Sequence, residues 1–162
     1  MDICKNYTFI HIDVRNEIIC KGEIDMESRI EKAVELYKKG YNCSQAIVCT
    51  YADLVAADEE MMFRATEGLG AGMGNMEGTC GAVSGACVLA GLKNSTANMT
   101  KPNSKTSTYK LSREIMARFK SINTTTVCKE LKGVDTGVLI RKCPDCIRDA
   151  AKIAEEVLFT DL

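Results

Sequence analysis

The sequence predicts an all-α fold, a single-domain helical bundle with a β-hairpin-like N-terminal extension. Three observations carry this expectation. Apolar residues recur at helical spacing in successive segments from Ser28 to the C-terminus, each bounded by a cap or a breaker. Strand-like runs are confined to the first 25 residues. The length of 162 residues is that of one ordinary domain, enough to bury a core without disulfide or metal staples.

In chain order, Ile30, Ala33, Val34 and Tyr37 form one apolar face between Ser28 and Lys39, and Gly40 stands where a C-terminal cap belongs. A second helix is expected from about Asn42 through Ala56. A third starts at Asp58, an N-cap followed by two glutamates, and ends at Gly68. The stretch Gly68 to Gly78 is glycine-rich, but no placement gives G-x-G-x-x-G or G-x-x-x-x-G-K-[ST], and it follows a helix rather than a strand, so it is not a nucleotide loop. A bend beside Cys80 is the better reading. The next helix, about Thr79 to Leu92, carries Gly81 and Gly85, and then Ala82, Ala86 and Ala90, each set spaced by four. Such a stripe lets a neighbouring helix, a second subunit in a homodimer or a cofactor approach closely. Asn94 to Thr108 is polar and broken by Pro102, and reads as an exposed loop that would serve as a lid. Tyr109, Ile115, Met116, Phe119 and Ile122 then mark an amphipathic helix, and Ile147, Ala150, Ala151, Ala154 and Leu158 the last one.

Residues 1–25 read in two ways. Tyr7 to Val14 and Glu17 to Ile24, disposed about Arg15-Asn16, suit a hairpin. Alternatively, Lys21-Gly22-Glu23 is encodable by a ribosome-binding sequence before Met26, so 1–25 would be translated leader and 26–162 the domain. Intact mass of protein from the unmodified gene decides between them.

Composition excludes several function classes. There are 21 basic and 22 acidic residues and no basic stripe interleaved with aromatics, which leaves nucleic-acid or acidic-membrane binding without electrostatic footing. No apolar run approaches the roughly 20 residues of a membrane span, and the N-terminus lacks the apolar core of a secretory signal. A cytoplasmic protein is expected. Nine cysteines in a reducing compartment, an odd number, point to metal or thiol redox work rather than structural disulfides. Cys49 and Cys87 are expected to be packed as small hydrophobes.

Four other cysteines stand at element boundaries: Cys43 in Tyr41-Asn42-Cys43-Ser44-Gln45-Ala46, Cys80 in Gly78-Thr79-Cys80-Gly81-Ala82-Val83-Ser84-Gly85-Ala86, Cys128 before Lys129-Glu130-Leu131-Lys132-Gly133, and Cys143 before Pro144. A thiolate at a helix N-terminus is stabilised by free N–H groups and the macrodipole, which favours reactivity and metal ligation. These motifs, with Phe119, resemble the redox-active protein family named for its C_GCAxxG_C_C pattern, over nearly everything from Met26 onward. The resemblance implies that Cys43, Cys80, Cys128 and Cys143 are the family's four cysteines, and redox activity without a settled reaction. Cys146 departs from the pattern, and Cys143-Pro144-Asp145-Cys146 reads either as a dithiol pair at a helix start or as one thiol plus a packed residue.

Two mechanisms remain open on the sequence, both using Cys43, Cys80, Cys128 and Cys143. Those thiolates suit Zn²⁺ or an iron–sulfur cluster, making an electron carrier or sensor, although the spacings match neither the ferredoxin run nor the two-knuckle zinc pattern. A c-type haem is disfavoured because Ile147, not His, follows Cys146. Alternatively, a metal-free thiol oxidoreductase would use Cys80 to attack and Cys43 to resolve. The single histidine, His11, lies in the N-terminal extension, which argues against a Cys–His hydrolase. A third reading is a structural or interaction protein with buried cysteines. The redox partner is not named by the sequence.

Overall fold

The computed structural model describes residues 27–160 and, apart from them, the backbone of β1 (Ile10–Ile12) and β2 (Ile18–Cys20), which pair antiparallel with His11 opposite Ile19. The rest of the expected hairpin, and the question of a start at Met26, lie outside the described residues. From residue 27 onward the chain is helical, with short irregular connections.

α1 (Ile30–Lys38) ends as its sequence requires: Gly40 at φ 106° lets the Gly40 and Tyr41 N–H groups reach back to Tyr37 and Leu36, and no side chain enters that left-handed region so cheaply. α2 (Cys43–Tyr51) is shorter than expected. It tightens into a 3₁₀ turn, Ala52–Val55, closed by Ala56 at φ 52°. Asp58 accepts the Met61 N–H at 2.7 Å and starts α3 (Glu59–Thr66), which runs into a 3₁₀ turn, Glu67–Leu69. A single distorted turn, α4 (Gly70–Met73), precedes α5 (Gly81–Asn94), α6 (Lys105–Asn123), the short α7 (Cys128–Lys132) and α8 (Cys143–Leu158).

α5 lies at the centre and packs on α2, α6 and α8; α8 also packs on α1 and α6, and α1 on α2. Tyr51, Leu89, Ile115, Phe119, Ile147 and Ile153 fill the core. The small-residue stripe of α5 is buried within the chain. A Cβ on Gly85 would meet Ser44 O at 2.9 Å and the Ile47 Cβ at 3.1 Å, so α2 covers the surface expected to suit a homodimer. The hydroxyl of the buried Tyr51 is satisfied at the edge of this core: it donates to the Glu155 carboxylate at 2.8 Å, which also accepts the Arg29 N–H at 2.7 Å.

Two sequence expectations need correction. On α6 the buried seam is Ile115, Phe119 and Asn123, an i, i+4, i+8 row, whereas Tyr109, Met116 and Ile122 face outward because a single stripe meets α5 and α8. The polar loop after α5 is exposed as expected, but it is no lid for Cys80. It leaves the opposite end of the helix, and 14 helical residues separate the two by roughly 20 Å. No helix among the described residues is long and apolar enough to cross a membrane.

Candidate functional site

Local sequence sets each thiol in place. Asn42 caps α2 through a capping box: its Oδ1 accepts from the Ser44 and Gln45 N–H groups at 2.9 and 3.0 Å, and Gln45 Oε1 accepts the Asn42 N–H at 2.9 Å. Its amide donates to Glu67 O at 2.8 Å, which fixes the start of α2, and therefore Cys43, against the chain entering α4. There the backbone turns left-handed for four successive residues, Ala71, Gly72, Met73 and Gly74, at φ 50°, 58°, 63° and 89°. Ala71 and Met73 each bear a steric cost of about 1–2 kcal/mol in that conformation. The turn directs the Ala71 N–H at the Cys43 sulfur and brings Gly72 against Cys128, where a Cβ would come within 2.7 Å of the Cys128 Cβ.

Backbone pairing then joins two of the cysteines. Thr79 and Val127 form an antiparallel bridge; the Cys80 N–H donates to Thr126 O at 2.7 Å and the Cys128 N–H to Gly78 O at 3.0 Å. Cys80 becomes the N-cap of α5 and Cys128 the first residue of α7. Cys143 opens α8 with Pro144 in its first turn, where the missing N–H costs nothing. All four cysteines picked out in the sequence therefore stand at helix N-termini.

They line one cavity of about 280 Å³, together with Cys146, Tyr37, Asn42, Ala71, Met76 and Lys132. Cys143 is half-buried; Cys43, Cys80, Cys128 and Cys146 are buried behind it. Cys80 lies near both Cys43 and Cys146, close enough for their ionisations to be coupled. Gly81 makes this possible, since a Cβ there would sit 2.5 Å from the Cys43 sulfur.

The ionisation of the group follows from these contacts. Cys43 donates to Cys80 and is buried, and its thiol is driven far above the usual range. Cys80 donates to Cys146 and is pushed up to about 12, with burial adding to the effect and the Cys43 contact opposing it. Cys146, which receives that bond and faces Lys132, is lowered despite its burial. Burial raises Cys128. Tyr37 is pushed up to about 12 by burial first and then by its hydrogen bond to Cys143. Burial works against the Lys132 ammonium, but the facing sulfurs of Cys146 and Cys143 outweigh it and the group is raised. Lys132 Nζ also donates to Arg141 O at 2.8 Å, so the cation is anchored beside the thiols. Cys146 is thus the thiol of the cavity whose ionisation is favoured, through Cys80 and Lys132, while Cys43 and Cys80 are held protonated.

Residues 41–157 match the model of the family described as "Putative redox-active protein (C_GCAxxG_C_C)". The chain belongs to this family. No curated protein and no solved structure matches it. The C_GCAxxG_C_C match spans every cysteine of the cavity and Lys132, and leaves out only Tyr37 among the polar groups named here. Cys49 and Cys87 do not line the cavity. Cys49 is buried, and its thiol is pushed up to about 11 by burial and by Glu59, while Cys87 is half-buried. The side chains of Cys4, His11 and Cys20 lie outside the described residues. Sequence reasoning left Cys146 undecided and did not single out Tyr37 or Lys132; the i, i+3 spacing of Cys146 from Cys143 at a helix start was the available signal. Five thiols are a fitting donor set for a soft metal. As they stand, however, no three His, Cys, Asp or Glu side chains among the described residues form a group ready to hold one.

Proposed function

We propose that this member of the redox-active C_GCAxxG_C_C family is a thiol–disulfide oxidoreductase whose working dithiol is Cys143 and Cys146. The observation that supports it is the layering of the sulfurs: Cys143 is the more accessible thiol at a helix N-terminus, next to Lys132 and Tyr37, and Cys146 stands three residues deeper with its thiol lowered. Cys80, the attacking thiol expected from sequence, is only 3% exposed and pushed up to about 12, which suits it poorly for a first encounter with substrate.

In the proposed reaction the Cys143 sulfur, losing its proton to solvent, attacks one sulfur of a substrate disulfide, and the first substrate thiolate leaves and takes a proton from solvent. Cys146, as thiolate, then attacks the Cys143 sulfur of the mixed disulfide and expels the second substrate thiolate, which is also protonated. The protein dithiol loses two electrons, which reduce one disulfide to two thiols. A cytosolic setting belongs to the same proposal.

The test uses the reduced full chain and a small disulfide such as oxidised glutathione, without oxygen. The expected product is a Cys143–Cys146 disulfide. Cys146→Ser should trap glutathione on Cys143, and Cys143→Ser should abolish the reaction. A first adduct on Cys80 or Cys43 in the Cys146→Ser chain overturns the assignment.

The crowding of five sulfurs around one cavity favours a second reading, in which Cys43, Cys80, Cys128 and Cys143 hold zinc or an iron–sulfur cluster. A cluster would supply one-electron chemistry and make the protein a carrier or sensor. Anaerobic purification with iron, sulfide and zinc analysis and a visible spectrum separates the readings: bleachable absorbance with iron and sulfide favours the cluster, and a colourless metal-free protein with reversibly oxidised thiols favours the dithiol.

A further inference from the structure

The cavity contains more thiol than one disulfide exchange uses. Cys43 and Cys80 form a second sulfur pair behind the first, with the Cys43 sulfur beside the α5 start that Cys80 caps, and Cys80 is coupled in turn to Cys146, so the sulfurs follow one another around the cavity from Cys143 at the accessible side to Cys43. Two backbone features hold the inner end of the row. Gly81 leaves room for the Cys43 sulfur next to Cys80, and the Ala71 N–H of the left-handed turn points at that sulfur.

We propose that Cys43 and Cys80 are a second redox dithiol, charged from Cys143–Cys146 by internal exchange, so that the chain stores the electrons of two disulfides. This rests on the thiol–disulfide reading above. After the outer disulfide forms, the Cys80 sulfur attacks Cys146, and the Cys143 thiolate leaves and takes up the proton that Cys80 gave. The Cys43 sulfur next attacks Cys80, and the Cys146 thiolate leaves and takes the proton from Cys43. The disulfide has moved to Cys43–Cys80 with no net change in electrons, and the outer dithiol is reduced again. A second substrate disulfide then reoxidises it. Each transfer links sulfurs that line the same cavity, and substrate never needs to reach the buried pair.

The experiment oxidises the reduced full chain with excess oxidised glutathione under argon, counts the glutathione thiol released per chain, and maps the disulfides after alkylation. Four thiols released with a Cys43–Cys80 link are expected; Cys43→Ser and Cys80→Ser should each halve the yield while retaining the outer link, and Cys87→Ser should leave it whole. In Cys143→Ser the inner link should be lost. Two thiols released, with Cys43 and Cys80 alkylated and Cys143–Cys146 linked, overturns the inner dithiol and leaves the outer reaction standing. No thiol released overturns both, and an inner link formed in Cys143→Ser at the wild-type rate overturns the internal exchange.

Discussion

Replacing Gly81 by alanine tests the packing that brings Cys43 to Cys80. The added Cβ would lie 2.5 Å from the Cys43 sulfur, 2.8 Å from Leu69 O and 3.2 Å from the Gly70 Cα. To reach 3.4 Å, the near edge of ordinary contact, the sulfur must retreat by 0.9 Å and the carbonyl by 0.6 Å. The sulfur belongs to a capped helix start and the carbonyl to the chain entering the left-handed turn, so neither swings away freely. Overpacking of this kind costs about 1–3 kcal/mol. Alanine recovers at most about 1 kcal/mol of helix propensity, and less at the first residue of α5. The net loss is about 1–2 kcal/mol, which lowers Tm by roughly 2–8 °C for a domain of this size. Gly91 in the same helix is the control, because nothing lies within 4 Å of its Cβ position. Gly91→Ala should gain about 0.5–1 kcal/mol. Thermal unfolding of both variants under reductant gives the answer. A Tm for Gly81→Ala at or above wild type would refute the close approach of Cys43 to the α5 start.

Asn42→Ala removes the cap of α2 and the bond to Glu67, and should cost about 1–2 kcal/mol in urea unfolding. Because Cys43 is the next residue, the same variant should also slow formation of the Cys43–Cys80 link, read by timed alkylation. In alkali the native state should lose stability. Burial pushes Cys49 up to about 11, and the bond to Cys146 helps push Cys80 up to about 12, whereas unfolded thiols titrate near about 8.5. Above that value the native chain binds more protons than the unfolded one, so this contribution is complete below the unfolded thiol range and is lost as pH rises toward 11 and 12. Cys146 has the opposite sign, since its lowered thiol favours the native state above the unfolded thiol pKa and that contribution fades as pH falls through the folded one. The raised group is larger, so Tm measured with reductant should decline from about pH 9 upward; a flat profile to pH 11 would contradict the burial of the thiols.

The helices were legible because their signals are local. Gly40 closes α1, Asp58 opens α3, and the apolar row from Ile147 to Leu158 is buried as its spacing implies. The positions of the four cysteines at element boundaries were legible for the same reason, although the short helix that starts at Cys128 was not. Their convergence depends on two features that no short window contains. One is the bridge between Thr79 and Val127, which pairs segments on either side of α5 and α6. The other is the left-handed turn, in which Ala71 and Met73 adopt a conformation that neither residue type announces. Cys146 was ambiguous because it is both the deeper thiol of a C-x-x-C pair and part of the apolar face of α8, and the sequence cannot separate these roles when one residue performs both.

Activation by helix dipoles, the rationale for choosing Cys80 from sequence, proves the weaker force here. A helix N-terminus favours a negative group by typically 0.3–1 kcal/mol, less than about one pKa unit. Burial shifts a thiol by up to about 3–5 units in the other direction. Cys43, Cys80 and Cys128 all have the dipole and all are raised. Cys146, inside the first turn of α8 rather than at its tip, is the buried thiol of the cavity that is lowered, because it combines two influences: it receives from Cys80, whereas Cys80 receives from Cys43 but passes its own proton on to Cys146, and it faces the anchored Lys132 cation, which acts on Cys128 too weakly to offset burial. The direction in which each thiol of this cavity shifts is therefore set by the order of the sulfurs, and the helix starts serve chiefly to hold that order.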